Sequence, residues 1–195
     1  MGFFKDRNKP KEVQQVKIVF GPNYIQTCQQ IKQSVQNGTW NRDNQVSVSF
    51  EDEILGEIDN CVESHQGSSR VLYADDMQFL DVVGESFHQE ELRNLYNQVQ
   101  DSWLSGFLMP EPLNPHDPNA VGVMIISPDI NDEKKFEVIR AGYLKKEQAK
   151  KVSKKIINFM ENDAYIPILL KLSGGSLDKP SFGVIARAKT DKVKF

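Results

Sequence analysis

The stretch Glu111 to Val121 reads EPLNPHDPNAV and packs three prolines and two asparagines into a short span. Proline fixes φ and removes a backbone donor, so this segment reads as a rigid, non-regular turn. Asn114 and Asp117 each precede a proline, which pushes both out of the helical region. Such a loop holds the side chains of Asn114, His116 and Asp117 in place at little entropic cost. Two readings are open at this point: an Asx-turn network that only builds a hairpin corner, or a preorganised polar pocket.

The flanks decide the architecture around the loop. Downstream, Ala120–Ser127 and Phe136–Tyr143 are β-like, with Pro128–Lys134 as the turn between them. The strongest helix signal follows at Lys145–Asn162. There Ala149, Val152, Ile156, Phe159 and Met160 make one apolar stripe, and Lys146, Lys150 and Lys154 recur every fourth residue on another. Strands Ile166–Leu172 and Phe182–Ala188 are divided by Gly174-Gly175. Upstream lie a strand at Gly106–Met109, a short helix at Gln89–Tyr96 and the β-like run Phe79–Gly84. Short strands with one or two helices predict an α+β, mainly β fold, a small β-barrel over residues 78–195.

Residues 1–77 read as a small α/β N-terminal segment of unassigned role, either a domain of its own or an extension of the barrel. Val13–Phe20 is β-like, Ile25, Cys28, Ile31 and Val35 recur at helical spacing, and Val46, Val48 and Phe50 alternate as in a half-buried strand. Glu53–Ile58 is expected to pair with that strand, and Gly67-Ser68-Ser69 is the expected linker.

The chain has 195 residues, with 39% hydrophobic and 26% charged, and a mean hydropathy of -0.49. That is enough to bury a core. No apolar run approaches the roughly 20 residues of a membrane span, and Met1–Lys11 has no signal-peptide stretch, so a cytoplasmic protein without membrane contact is expected. Cys28 and Cys61 do not make a disulfide framework or a zinc site. The net charge of -3 is uneven: -3 over residues 1–77, -9 over 78–133 and +9 over 134–195. A basic final third can face a polyanion although the whole chain is acidic.

Catalytic and metal signatures are weak. Tyr73-Ala74-Asp75-Asp76 spells a polymerase carboxylate motif in a chain too short for a polymerase, and reads as a turn with solvated acids. Asp129–Arg140 begins like a calcium loop but has Lys134 where the sharp turn needs Gly and Arg140 where it needs Glu. His65, His88 and His116 adjoin no GxSxG elbow and no HExxH helix, and no Gly-Lys-Ser/Thr follows Gly174-Gly175. The expectation is a protein that is not an enzyme and uses no metal or cofactor.

Three motifs in order carry more information: Val82-Val83-Gly84, then Glu111–Val121, then Ala141-Gly142-Tyr143-Leu144-Lys145-Lys146-Glu147. Together they resemble the HIRAN domain, a module found at the front of certain Swi/Snf-type helicases and, in bacteria, alone or beside nuclease domains. The chain looks like a stand-alone, bacterial-type member, and the resemblance covers about residues 78–192. It implies a modified OB-like barrel that binds single-stranded DNA at a free 3′ end, as a non-catalytic accessory in DNA repair, replication or processing, with a helicase or nuclease as protein partner.

The resemblance places Phe87, Asn114, His116, Asp117, Tyr143 and Lys146 at the pocket. In these roles Phe87 and His116 would stack on the terminal base, Asp117 would accept from the 3′ hydroxyl, and Asn114 would bond a base edge or hold the loop. Lys145, Lys146 and Lys150 would meet phosphate at the helix start. Two departures stand out: Ser86 replaces an Arg of the helicase-borne members, and His116 replaces a Tyr. Both weaken the expected contacts, one to phosphate and one by stacking. The alternative is a protein-interaction adaptor or non-catalytic subunit built on the same barrel.

Overall fold

The computed structural model describes residues 13–41, 43–66, 77–129, 132–162 and 164–189. The chain first forms β1 (Gln15–Val19), α1 (Tyr24–Gln36), β2 (Gln45–Ser49) and α2 (Asp52–Gln66). It continues with β3 (Met77–Leu80), β4 (Val82–Val83), a 3-10 turn at Glu85–Phe87, α3 (Gln89–Val99), β5 (Trp103–Pro110) and β6 (Val121–Asp129). The last elements are β7 (Asp132–Leu144), α4 (Lys146–Met160), β8 (Pro167–Gly174) and β9 (Phe182–Lys189).

Strands β3 to β9 make one seven-stranded sheet in the order β3-β9-β8-β5-β6-β7-β4, and every neighbouring pair is antiparallel. β3 and β4 are two halves of one segment, interrupted at Asp81. The first half pairs with β9 at one end of the sheet and the second with β7 at the other. This all but closes the sheet into a small barrel, the mainly β architecture expected from the strand count. Its interior matches large against small side chains: Ile168 faces Ala188 and Leu170 faces Ala186, all buried.

Strand β5 is buried from Leu104 to Pro110, on both faces. One face looks into the barrel, and the N-terminal unit covers the other. Phe20, fully buried, sits 4.8 Å from Phe107 of β5, with Phe50 at 5.5 Å and Tyr165 at 5.4 Å. Each buried aromatic stabilises by about 1.5–3 kcal/mol through its burial, and ring pairs add about 0.5–1.5 kcal/mol. Tyr24 donates from its hydroxyl to the Pro110 carbonyl at 3.1 Å, and Phe136 donates its N–H to Asp52 Oδ1 at 3.0 Å. The polar bonds fix the unit at both ends of the aromatic cluster.

Within that unit β1 and β2 pair in parallel, from Gln15↔Gln45 to Val19↔Ser49, with α1 as the crossover. The strand expected at Glu53–Ile58 is corrected to helix α2. Ile54, Gly56 and Ile58 alternate, but Leu55 and Ile58 fall three apart on one helical face, and both are buried. Asp52 and Glu53 in the first turn suit the positive end of the helix. The turn expected at Pro128–Lys134 is also tighter, because β6 runs to Asp129 and β7 starts at Asp132. The Gly67-Ser68-Ser69 linker and the Tyr73–Asp76 motif lie outside the described residues.

Helix α4 follows its sequence pattern. Ala149, Val152, Ile156 and Met160 are buried, and Lys146, Lys150 and Lys154 are exposed. Its start is tied to the break between β3 and β4: Lys145 donates its N–H to the Asp81 carbonyl at 2.8 Å, and Asp81 donates its own to Gln148 Oε1 at 2.9 Å. Among the described residues no helix is long and apolar enough to cross a membrane.

Candidate functional site

The loop between β5 and β6 is an Asx network closed on itself. Asn114 Oδ1 accepts from the N–H groups of His116 at 3.0 Å and Asp117 at 3.2 Å. Asp117 Oδ1 accepts from the Asn119 N–H at 2.8 Å, and the Asp117 carbonyl accepts from Ala120 at 3.0 Å. Ser153 of α4 donates to Asn119 Oδ1 at 3.4 Å, which joins the loop to the helix. Asn114 therefore holds the loop. The His116 ring is left exposed, and the Asp117 side chain is half-buried.

Beneath the loop lies a polar cluster in which the expected residues Asn114 and Tyr143 meet two that were not expected there, Glu111 and Arg140. Arg140 Nη2 and Glu111 Oε1 form an ion pair at 2.6 Å. Tyr143 donates from its hydroxyl to Glu111 Oε2 at 3.1 Å, and Asn114 Nδ2 donates to the same oxygen at 3.3 Å. Arg140 Nη1 also donates to the Tyr143 hydroxyl, and its guanidinium lies 5.0 Å from that ring's centroid. Residues three apart on a regular strand face opposite sides. Here Val123 pairs with Gly142 and Met124 with Arg140, so Ala141 is an extra residue and the bulge turns Arg140 and Tyr143 to one side.

Phe87 joins this cluster through a glycine. Gly84 has φ +88, a left-handed conformation that turns the chain from β4 into the 3-10 turn. A Cβ at Gly84 would lie 3.9 Å from Tyr143 Cδ2 and 4.0 Å from Phe87 Cδ2, so the two rings flank the same residue. Phe87 is 86% exposed, an unusual position for so large an apolar ring.

A cleft of about 490 Å³ opens between this cluster and the N-terminal unit. Val46, Val48 and Phe50 form its apolar wall, and His116, Arg140 and Tyr143 its polar one. Asn114 lines it as well. The expected residues thus divide into three groups. Asn114, His116 and Tyr143 meet in the cleft, Phe87 flanks Gly84 together with the Tyr143 ring, and Asp117 Oδ1 is turned along the loop to the Asn119 N–H. Lys145, Lys146 and Lys150 are exposed at the beginning of α4, two to seven positions after Tyr143 in the chain.

Burial sets the titration of the cleft's floor. Desolvation, then the neighbouring Glu111 charge, pushes the Tyr143 phenol above its usual value. Desolvation likewise pushes the buried Cys28 thiol up to about 11, so it is protonated near neutrality. Neither group is poised as a nucleophile or base. Among the described residues no three His, Cys, Asp or Glu side chains gather as a metal site.

Glu111 was visible in the sequence only as the first residue of the loop motif, with nothing to mark its partner. Arg140 gave no signal, because its position depends on the bulge. The N-terminal wall was equally hidden, since Val46 and Val48 looked only like a half-buried strand. No protein-family model, curated protein or solved structure matches the chain.

Proposed function

We propose that this chain is a non-catalytic module that binds single-stranded nucleic acid, with a free 3′ end of DNA as its leading ligand. The observation that carries the reading is the fixed loop, which sets His116 in the cleft beside Tyr143, with the His116 and Asp117 N–H groups bonded to Asn114 Oδ1 and the Asp117 carboxylate accepting from the Asn119 N–H. A site whose polar groups are already ordered loses little entropy when it takes a ligand. In this reading the barrel is OB-like, the terminal base enters the cleft mouth against His116, and Phe87 or Tyr143 stacks on a neighbouring base. The Asp117 carboxylate accepts from the 3′ hydroxyl and repels a 3′-phosphate. Lys145, Lys146 and Lys150 neutralise the following phosphates, while Ser86 contributes no charge. The three motifs shared with the HIRAN domain support the same ligand, and an intracellular DNA-processing role beside a helicase or nuclease follows from it.

Fluorescence anisotropy with a short single strand across a salt series tests the reading. Wild-type affinity falls steeply as salt rises, and Lys146→Ala with Lys150→Ala flattens the slope by about 1.4, at about 0.7 per neutralised phosphate on a single strand. A slope unchanged by the double variant assigns those lysines to solvent.

A second reading, a protein-interaction adaptor, is favoured by the exposed valines Val13, Val19, Val35 and Val46 on the N-terminal unit. Apolar docking there would show little dependence on salt.

A further inference from the structure

We propose that the outer face of β3 and β9, with the first residue of β5, carries a second stacking platform, built from Phe79, Arg187 and Trp103, that takes bases of the same strand upstream of its 3′ end. This rests on the end-binding reading above. Phe79 faces away from the barrel: it is 58% exposed, while the next residue, Leu80, is buried. Its partner across the β3–β9 ladder is Arg187. The Arg187 guanidinium lies 4.4 Å from the Phe79 ring centroid and 5.3 Å from that of Trp103. A cation held against two rings on a sheet face is the combination that single-strand binders use, where aromatic faces stack bases and arginine adds cation–π attraction.

A stack that served only the fold would bury its rings, yet Phe79 keeps more than half its surface in water and Ile185, two residues before Arg187, is exposed as well. The platform is also continuous with the end site. Phe79, Asp81 and Val83 alternate along one segment and all three are exposed. Val83 pairs with Tyr143, and the segment then turns at Gly84 to Phe87. At about 3.3 Å per residue, Phe79 and Val83 are at most about 13 Å apart along the chain, across the break at Asp81. The charges along this face are mixed: Arg187 is cationic, Lys171 pairs with Asp101 at 2.9 Å, and Asp81 places an acid on the path. Stacking on rings therefore accounts for more of the platform than net charge does.

The test compares a trinucleotide with a strand of about twelve nucleotides, both ending in a 3′ hydroxyl, within the site sizes known for OB-type barrels. Phe79→Ala is expected to weaken the long strand about five- to hundred-fold and to leave the trinucleotide unchanged, with Phe79→Tyr restoring the long-strand affinity. In a Trp40→Phe background, the long strand quenches Trp103 fluorescence and the trinucleotide does not. Loss at both lengths, or at neither while the trinucleotide still binds, overturns the platform; the second result leaves end binding in place. Failure of the wild-type protein to bind either strand removes both proposals.

Discussion

Glu111 and Arg140 form a 2.6 Å ion pair in which the Glu111 side chain keeps only 13% of its surface exposed and the Arg140 side chain 28%. One comes from the proline-rich loop and the other from a bulged strand, so the pair locks the loop to the barrel at the floor of the cleft. Tyr143 and Asn114 occupy the other carboxylate oxygen. The floor of the cleft is organised around that one largely buried carboxylate.

Removing one partner strands the other. Arg140→Met is expected to destabilise the fold by about 3–5 kcal/mol, because Glu111 is left buried without its cation. Adding Glu111→Gln to that variant recovers part of the loss. A double-mutant cycle by urea denaturation measures the coupling, and simple additivity would show that the pair does not act as a unit.

Gly142 lets β4 approach β7. It has φ +156, and a Cβ there would lie 2.5 Å from the Val83 carbonyl oxygen. Gly142→Ala is expected to part β4 from β7 beside Tyr143 and to lower stability. Hydrogen exchange at Val82 and Val83 should speed up relative to β5; unchanged protection would mean that the contact relaxes elsewhere.

The N-terminal unit is structural as well as a wall of the cleft. Phe20→Ala removes the ring at the centre of its contact with Phe107, and the expected cost is about 3–5 kcal/mol. Chemical denaturation of the full chain gives the value. A cost under about 1 kcal/mol would show that the two parts are only loosely joined.

The strands, both barrel helices and the fixed loop were legible in the sequence because each rests on a local signal: alternation, an apolar stripe at helical spacing, or Asx-Pro turns. Glu53–Ile58 misled because Ile54, Gly56 and Ile58 satisfy a two-residue period, while the burial of Leu55 is a tertiary fact. The cleft was illegible for a different reason. Arg140 reaches Glu111 only through the Ala141 bulge, and a bulge is set by the partner strand's register. The N-terminal wall depends on where Phe20 docks, which periodicity within residues 13–66 does not specify.

Alkaline pH should weaken the joint between the two parts. Burial pushes the Tyr24 phenol well above its usual value, so the folded state holds that proton more tightly than the unfolded chain. Its contribution is complete below the ordinary tyrosine value of about 10 and is lost as pH climbs above it. Tyr24→Phe should flatten the fall in denaturation midpoint from about pH 8 to about pH 11, and cost about 1 kcal/mol at neutral pH through the missing bond to Pro110. An equally steep alkaline fall in the variant would place the effect on another group.

End recognition is most directly tested by anisotropy with three ligands: a strand with a free 3′ hydroxyl, the same strand with a 3′-phosphate, and a blunt duplex. The wild-type protein should prefer the free hydroxyl. Asp117→Asn should erase most of that preference, because it keeps an Oδ1 acceptor for the Asn119 N–H but loses the charge that repels phosphate. Equal affinity of the wild-type protein for the hydroxyl and phosphate ends, or binding to none of the three, would contradict the proposal.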